Sequence, residues 1–327
     1  MGDNTSSWFR NVCCRVLRTG VVPKHVAIIM DGNRRFAKKM HYGKAFQGHV
    51  LGFEKLKETL QWCLDLGVTE VTVYAFSIEN FKRSKEEVDG LMELTKQKIA
   101  YLLEESDVIA KHQVRVRALG DLRRLPDDVL QFIAKGVNYT KNNARAFLNV
   151  CYAYTSRHEM TEAIKEMVTG AQDGLLYPSD ISEDLIEQCL YTGDSPPPDL
   201  VVRTSGEVRL SDFLLWQSTY SHLCFQDVLW PEFSVWHFFS AVLSYQHSFA
   251  SIQEARREDR ERRDKQQYES DLRSVLDQWQ GINVPEASLL EQMVKEHAER
   301  RGQRQRAFVE CMRTRRVQFL EQLCPAS

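Results

Sequence analysis

Three short stretches gather the residue types that bind and move phosphate groups. The first is Asp31-Gly32-Asn33-Arg34-Arg35-Phe36-Ala37-Lys38-Lys39, which follows the apolar run His25–Met30. Gly32 has no Cβ, so a ligand can approach the backbone there. A helix starting near Asn33 presents unpaired N–H groups, and Arg34 and Arg35 add two positive charges. Asp31 works against them, because a carboxylate repels an anion unless a cation stands between. A hard divalent cation such as Mg²⁺, bridging Asp31 and phosphate oxygens, resolves the conflict. A capping Asp ahead of a solvated basic helix accounts for the same letters.

The second stretch, Ser77-Ile78-Glu79-Asn80-Phe81-Lys82-Arg83, again puts small polar groups and an arginine after an apolar run. The third is Arg203-Thr204-Ser205-Gly206-Glu207-Val208-Arg209-Leu210-Ser211-Asp212-Phe213. Two arginines six apart, a Ser-Gly turn and a serine placed to cap a helix at Asp212 make a second anion site; a salt-bridged loop is the plainer alternative. Two arginine-rich sites with one carboxylate point to two diphosphates rather than one nucleotide. G-x-x-x-x-G-K-[ST] and G-x-G-x-x-G are both absent. Ser77 and Ser205 lack the G-x-S-x-G setting of a hydrolase nucleophile.

The elements that must position these groups are legible as alternation. Strands are expected at His25–Met30, Val71–Phe76, Val114–Leu119, Ala146–Tyr152, Asp199–Arg203 and Leu223–Phe225, each short and rich in β-branched residues, as strands buried on both faces are. Helical stretches such as Leu51–Leu66, Val88–Glu105, Arg157–Met167 and Trp236–Phe249 separate them. This alternation makes an α/β fold with a parallel sheet, and ligands of such sheets sit beyond the carboxyl ends of the strands.

Composition agrees. The 327 residues are 43% hydrophobic, with 43 Lys+Arg against 45 Asp+Glu. Disorder, collagen-like repeats and a nucleic-acid-coating role are excluded by that balance. The eight cysteines are scattered without a C-x-x-C pair, as expected of reduced thiols. No run of 18 apolar residues spans a membrane, and no secretory signal opens the chain.

The runs His25–Lys39 and Val73–Arg83, the pair Gly48-His49, and Arg203–Gln217 with Leu229-Trp230-Pro231-Glu232 resemble the signature regions of the cis-prenyltransferase (undecaprenyl diphosphate synthase-like) family, in particular its eukaryotic branch. The resemblance covers about Pro23–Tyr245. It implies one domain with a six-stranded parallel sheet flanked by helices and enclosing an apolar tunnel, at 23–250, between a leader at 1–22 and a charged helical extension at 251–327. It implies a Mg²⁺-dependent condensation of isopentenyl diphosphate onto farnesyl diphosphate, giving polyprenyl diphosphate for dolichol and protein glycosylation.

By resemblance, Asp31 holds the metal, and Gly32, Asn33, Arg34, Arg35, Phe36 and Arg83 hold the allylic diphosphate. Arg203, Arg209 and Ser211 bind isopentenyl diphosphate. His49, Ser77 and Asn80 stand near the reacting groups, His49 as proton relay or as plain hydrogen-bonding ring. Phe36 and Phe81 line the prenyl entrance, and the stripe Val88, Leu91, Met92, Thr95, Ile99, Leu102, Leu103 forms a tunnel wall. Retention of the arginines favours a catalytic chain over a scaffold subunit.

Two departures stand out. Bacterial relatives carry a Glu where His222 aligns. The family's C-terminal R-x-G tail is missing from Leu323–Ser327, and Arg300-Arg301-Gly302 has its letters only inside a polar helix. A Nogo-B receptor-like subunit supplying that tail is therefore expected, with the enzyme peripheral on the cytosolic face of the endoplasmic reticulum membrane. In the leader, Trp8, Phe9, Val12, Cys13, Val16 and Leu17 make one apolar stripe, with Arg10, Arg15 and Arg18 off it. That stripe fits an interfacial membrane helix or a cap over the tunnel mouth, and Gly2, Cys13 and Cys14 fit an acylation pattern. Gly281–Pro285 is expected to break the C-terminal extension into a helical hairpin.

Overall fold

Apolar runs too short for helices and rich in valine and isoleucine become the sheet. A computed structural model of the chain describes residues 2–42, 46–104, 107–277 and 286–324. Its strands are β1 (His25–Ile29), β2 (Glu70–Tyr74), β3 (Val114–Leu119), β4 (Ala146–Cys151), β5 (Leu200–Arg203) and β6 (His222–Phe225). They form one sheet in the order β3-β4-β2-β1-β5-β6, every pair parallel. The helices are α1 (Gly2–Leu17), α2 (Asn33–Lys39), α3 (Phe46–Leu66), α4 (Lys85–Glu104), α5 (Asp107–His112), α6 (Asp127–Thr140), α7 (Ser156–Gln172), α8 (Glu183–Cys189), α9 (Val235–Asp277) and α10 (Ala287–Gln322). All six expected strands form. The central β1 is buried along its whole length, which is why it reads as an unbroken apolar run.

The chain divides into two compact units. The first comprises Met1–Ser156, Pro196–Ile252 and Leu320–Ser327, and holds the whole sheet. Its core joins Val26, Ile28, Val73 and Val202 of the strands to Trp62 and Leu66 of α3 and to Phe238 and Val242 of α9. The last turn of α1 enters this core through Cys14 and Leu17, while Gln246 Nε2 donates to the Leu17 carbonyl at 2.8 Å. The buried edge of α1 is thus offset from the expected stripe: Trp8 and Val16 are exposed, and the Phe9 side chain lies outside the described set.

The second unit comprises Arg157–Ser195 and Gln253–Phe319. The stretch 157–195, expected inside the catalytic domain at 23–250, packs instead with the C-terminal helices. Fully buried Asp180 accepts two hydrogen bonds from Arg304, at 2.8 and 2.7 Å, and buried Asp271 accepts two from Arg301, at 2.9 and 3.0 Å. Gly170 leaves room for Phe308, whose ring would stand 2.4 Å from a Cβ at that position. In the charged run Arg256–Lys265, Arg263 reaches Glu187 at 2.8 Å and Glu183 at 3.0 Å. The expected boundary at 250/251 falls within α9, because no glycine or proline interrupts Val235–Asp277. The expected break at Gly281–Pro285 lies outside the described residues.

Candidate active site

The chain turns off β1 at Asp31. Gly32 takes φ 104, and a Cβ there would stand 2.9 Å from Leu229 Cδ2 and 3.1 Å from Ser205 Cβ, so only glycine fits the turn. Thr204 clamps Asp31 from the neighbouring strand: its Oγ1 accepts from Asp31 N–H at 3.1 Å and donates to the Asp31 carbonyl at 2.8 Å. Trp230 N–H donates to the same carbonyl at 3.0 Å. β5 runs beside β1 with Arg203 level with Ile29, so Arg203 reaches the carboxylate. The sheet's connections reverse direction between these two strands, the usual place for a ligand.

Arg203 is almost fully buried and ties three groups together. Its Nη2 donates to Asp31 Oδ2 at 2.8 Å, and its Nη1 donates to Ser211 Oγ at 2.7 Å and to the Arg209 carbonyl. Asp31 Oδ1 accepts from Gly32 N–H at 2.7 Å. The helix expected at Asp212 does not form. Ser211 (φ 51), Asp212 (φ 61) and Leu214 (φ 45) are all left-handed, which no right-handed helix tolerates. Ser211 therefore caps nothing, and its hydroxyl faces Arg203.

On the other side, α2 lies directly on α3. A Cβ on Gly48 would stand 2.1 Å from the Asn33 carbonyl oxygen, and one on Gly52 2.2 Å from Asn33 Oδ1. Trp230 Nε1 donates to the Gly52 carbonyl at 2.7 Å. This contact carries His49 to the cavity. Burial, then the Arg83 and Arg34 guanidinium groups, push the His49 ring down to about 4, so it is neutral at physiological pH. Its Nε2 is buried without a hydrogen-bond partner.

These elements enclose a cavity of about 470 Å³. Met30, Asp31 and Gly32 line it from the turn after β1, and Asn33, Arg34 and Arg35 from the start of α2. His49 and Arg83 line it from one flank, and Glu207 and Arg209 from the other. Two carboxylates escaped the sequence reading. Glu87 pairs with Arg83 at 2.7 Å and Arg34 at 3.8 Å; Glu207 pairs with Arg35 at 3.5 Å and with Arg209. Their local pairs, Arg83 with Glu87 four residues on and Glu207 with Arg209 two residues on, have ordinary spacing, but the pairs with Arg34 and Arg35 join separate elements and follow no spacing rule. With seven residues α2 offers little dipole, so the arginines carry the positive charge.

Ser77 and Asn80 are not brought to the cavity lining. They cap the short 3₁₀ turn Ile78–Lys82: Ser77 Oγ accepts from Glu79 N–H at 3.1 Å, and Asn80 Oδ1 accepts from Ser77 N–H at 3.0 Å. A serine with a polar residue three positions on is a legible capping signal. Phe36 is half-buried against Tyr42, and Phe81 packs edge-on to Phe76. His222 begins β6, level with Leu200, at the end of the strand away from Asp31, and its Nε2 lies 2.9 Å from Ser244 Oγ.

No cluster of three or more His, Cys, Asp or Glu able to hold a metal occurs among the described residues. The donor set present, the Asp31 carboxylate beside an anion cradle with Glu207 across it, still fits Mg²⁺. That ion binds through one or two carboxylates, keeps waters, and takes its remaining oxygens from substrate phosphates.

A parallel sheet with arginines and the Asp31 and Glu207 carboxylates gathered at its switch point has the layout of an α/β enzyme with an anion-binding site. The model of the undecaprenyl diphosphate synthase prenyltransferase family matches residues 29–252, and the chain belongs to that family and is a prenyltransferase. It is 50% identical to the human dehydrodolichyl diphosphate synthase complex subunit, over 98% of this chain and 97% of that one. It is 48% identical to the geranylgeranyl-diphosphate-specific tritrans,polycis-undecaprenyl-diphosphate synthase of Methanocaldococcus jannaschii, over 69% and 80%. Among solved structures, lavandulyl diphosphate synthase of Lavandula x intermedia, in complex with dimethylallyl diphosphate, is 33% identical with a TM-score of 0.65, covering 69% of this chain and 95% of that one.

Proposed function

We propose that this chain is the catalytic subunit of a dehydrodolichyl diphosphate synthase, adding isopentenyl diphosphate in successive cis condensations to farnesyl diphosphate. The observation that carries this reading is Arg203, buried and shared between the Asp31 carboxylate and the Ser211 hydroxyl, with arginines on both sides of it. Arg34, Arg35 and Arg83 bind the allylic diphosphate against Gly32 and Asn33. Arg203, Arg209 and Ser211 bind isopentenyl diphosphate. Asp31 would hold Mg²⁺, which supplies charge neutralisation at the leaving diphosphate. The arginines stabilise the negative charge that develops as the allylic carbon–oxygen bond breaks. His49, neutral and poorly basic, positions substrate by hydrogen bonding, which leaves the released diphosphate as the better proton acceptor.

The half-buried face of α4, with Val88, Leu91, Met92, Thr95 and Ile99, is proposed to wall the prenyl tunnel; the side chains of Leu102 and Leu103 lie outside the described set. The relatives named as complex subunits support a partner subunit, proposed to be Nogo-B receptor-like and to supply an R-x-G tail. No helix among the described residues is long and apolar enough to cross a membrane. Peripheral attachment to the endoplasmic reticulum, aided by exposed Trp8 and Val16, is part of the same reading.

The test is incubation of the purified chain and its partner with Mg²⁺, farnesyl diphosphate and labelled isopentenyl diphosphate. Long polyprenyl diphosphate is expected. Its absence in the presence of the partner refutes the assignment.

A further inference from the structure

Each arginine of the cavity already faces a carboxylate, and two of these carboxylates reach both sides: Asp31, 3.7 Å from Arg35 and bonded to the buried Arg203 at 2.8 Å, and Glu207. Glu87 serves Arg34 and Arg83, both on the allylic side. Glu207 instead spans the cavity. Its Oε1 stands 3.5 Å from Arg35, on the allylic side, and its Oε2 bonds Arg209, on the isopentenyl side. The loop holds it there. Ser205 (φ 82) and Gly206 (φ 74) are both left-handed, with Ser205 N–H donating to the Val228 carbonyl at 2.7 Å and Gly206 N–H to the Gln226 carbonyl at 2.8 Å. Arg35 is fastened to the same loop through the Ser205 carbonyl at 3.1 Å and the Ser205 hydroxyl. Glu207 lines the cavity with its side chain 30% exposed, within reach of an entering anion.

We infer that Glu207 is an internal anion that couples the two diphosphate subsites, holding a guanidinium of each while the cavity is empty and leaving both when either is filled. This rests on the two-diphosphate reading above. A multiply charged diphosphate outcompetes a single, partly solvated carboxylate for an arginine fork. The first diphosphate to enter therefore breaks both ion pairs of Glu207. The second finds its arginine already released and binds more tightly than it would alone. Linkage makes the effect reciprocal, whichever substrate enters first. The arrangement favours the doubly filled cavity that a condensation needs. After reaction it offers a carboxylate to reclaim both arginines as diphosphate leaves. Glu207 touches arginines rather than reacting atoms, so it is a positioning residue.

The test is calorimetric titration of the full chain with inorganic diphosphate at constant ionic strength, for the wild type, Glu207→Gln and Glu207→Asp. The wild type is expected to bind two diphosphates. Glu207→Gln is expected to tighten the first step at least about fivefold and to reduce the coupling between the steps by at least about fivefold. Glu207→Asp keeps the charge but is one methylene short of spanning both arginines, and is expected to lose the coupling without tightening both steps. Loss of a general negative charge would tighten both steps alike and leave the coupling intact. That result, unchanged binding, or weaker binding of Glu207→Gln overturns the inference while the two-site reading stands. A wild-type chain that binds fewer than two diphosphates overturns the two-site reading itself.

Discussion

The sheet carries a polar cluster in each half of its strands, and the two differ in how completely they are closed. In the amino half, His25 Nδ1 lies 2.6 Å from the Pro196 carbonyl and its Nε2 2.7 Å from Thr72 Oγ1. Asn149 donates to Thr72 Oγ1 at 3.0 Å and to Glu70 at 2.6 Å, and Arg117 lies over the Phe147 ring. His25, Glu70, Thr72 and Asn149 are all buried, and burial pushes the His25 ring below its ordinary range. At the carboxyl end the side chains of Asp31, Arg35, Glu207 and Arg209 are 30–61% exposed, and apart from the buried Arg203 their ion-pair partners are one another. A sealed network can only hold strands in register. An open set of exchangeable ion pairs can release its arginines to a ligand at little cost.

The sharpest way to break this comparison is Asp31→Asn, which keeps a hydrogen-bond acceptor for Arg203 and removes the charge. Polyprenyl product formation is expected to fall at least about 100-fold in a chain that still folds, although the buried Arg203 guanidinium loses its counter-charge and the thermal melt drops. Activity within tenfold of wild type would erase the special status of the carboxyl end.

Next in size is an acid effect. The folded chain holds the His49 ring at about 4. The unfolded chain takes up a proton on that ring below about 6.5. The unfolded state thus binds more protons between those values, so stability is complete above about 6.5 and declines as pH falls toward 4, by about 3 kcal/mol from this group. Urea unfolding from pH 7 to 4.5 measures it, and His49→Gln should flatten that limb. An unchanged limb would place His49 in water rather than in the cavity wall.

The smallest effect belongs to the sealed cluster. Thr72→Val leaves the His25 ring and the Asn149 amide each short of a partner. It is expected to cost about 1–3 kcal/mol of unfolding free energy, with the KM of both substrates unchanged. A KM change would show that the two ends of the sheet are not separate in function.

Much of this was legible in the letters, and the reasons for the rest are physical. The six strands could be read because burial on both faces leaves an unbroken apolar run. Asp31, Arg34, Arg35, Arg203 and Arg209 were marked by following those runs. Glu87 and Glu207 each have one local partner, Arg83 and Arg209, which reads as an ordinary surface pair; what ties them to the site is the second partner, Arg34 or Arg35, from an element distant in sequence. The turn at Ser211–Leu214 looked like a capped helix because left-handed φ at non-glycine residues follows from the packing around a loop, not from its own letters. The grouping of 157–195 with the C-terminal helices depends on single pairs such as Asp180 with Arg304, which no periodicity reveals. Ser77 and Asn80 carried a capping signal that their resemblance to a family motif outweighed.

The central claim is that the carboxyl end holds two distinct diphosphate subsites, one on each side of the Asp31–Arg203 pair. The most direct measurement is the KM of each substrate for Arg34→Ala and for Arg209→Ala, assayed with the partner subunit and Mg²⁺. Arg209→Ala should raise the KM for isopentenyl diphosphate about tenfold and that for farnesyl diphosphate far less, with the pattern reversed for Arg34→Ala. Equal effects of either variant on both substrates would contradict two subsites.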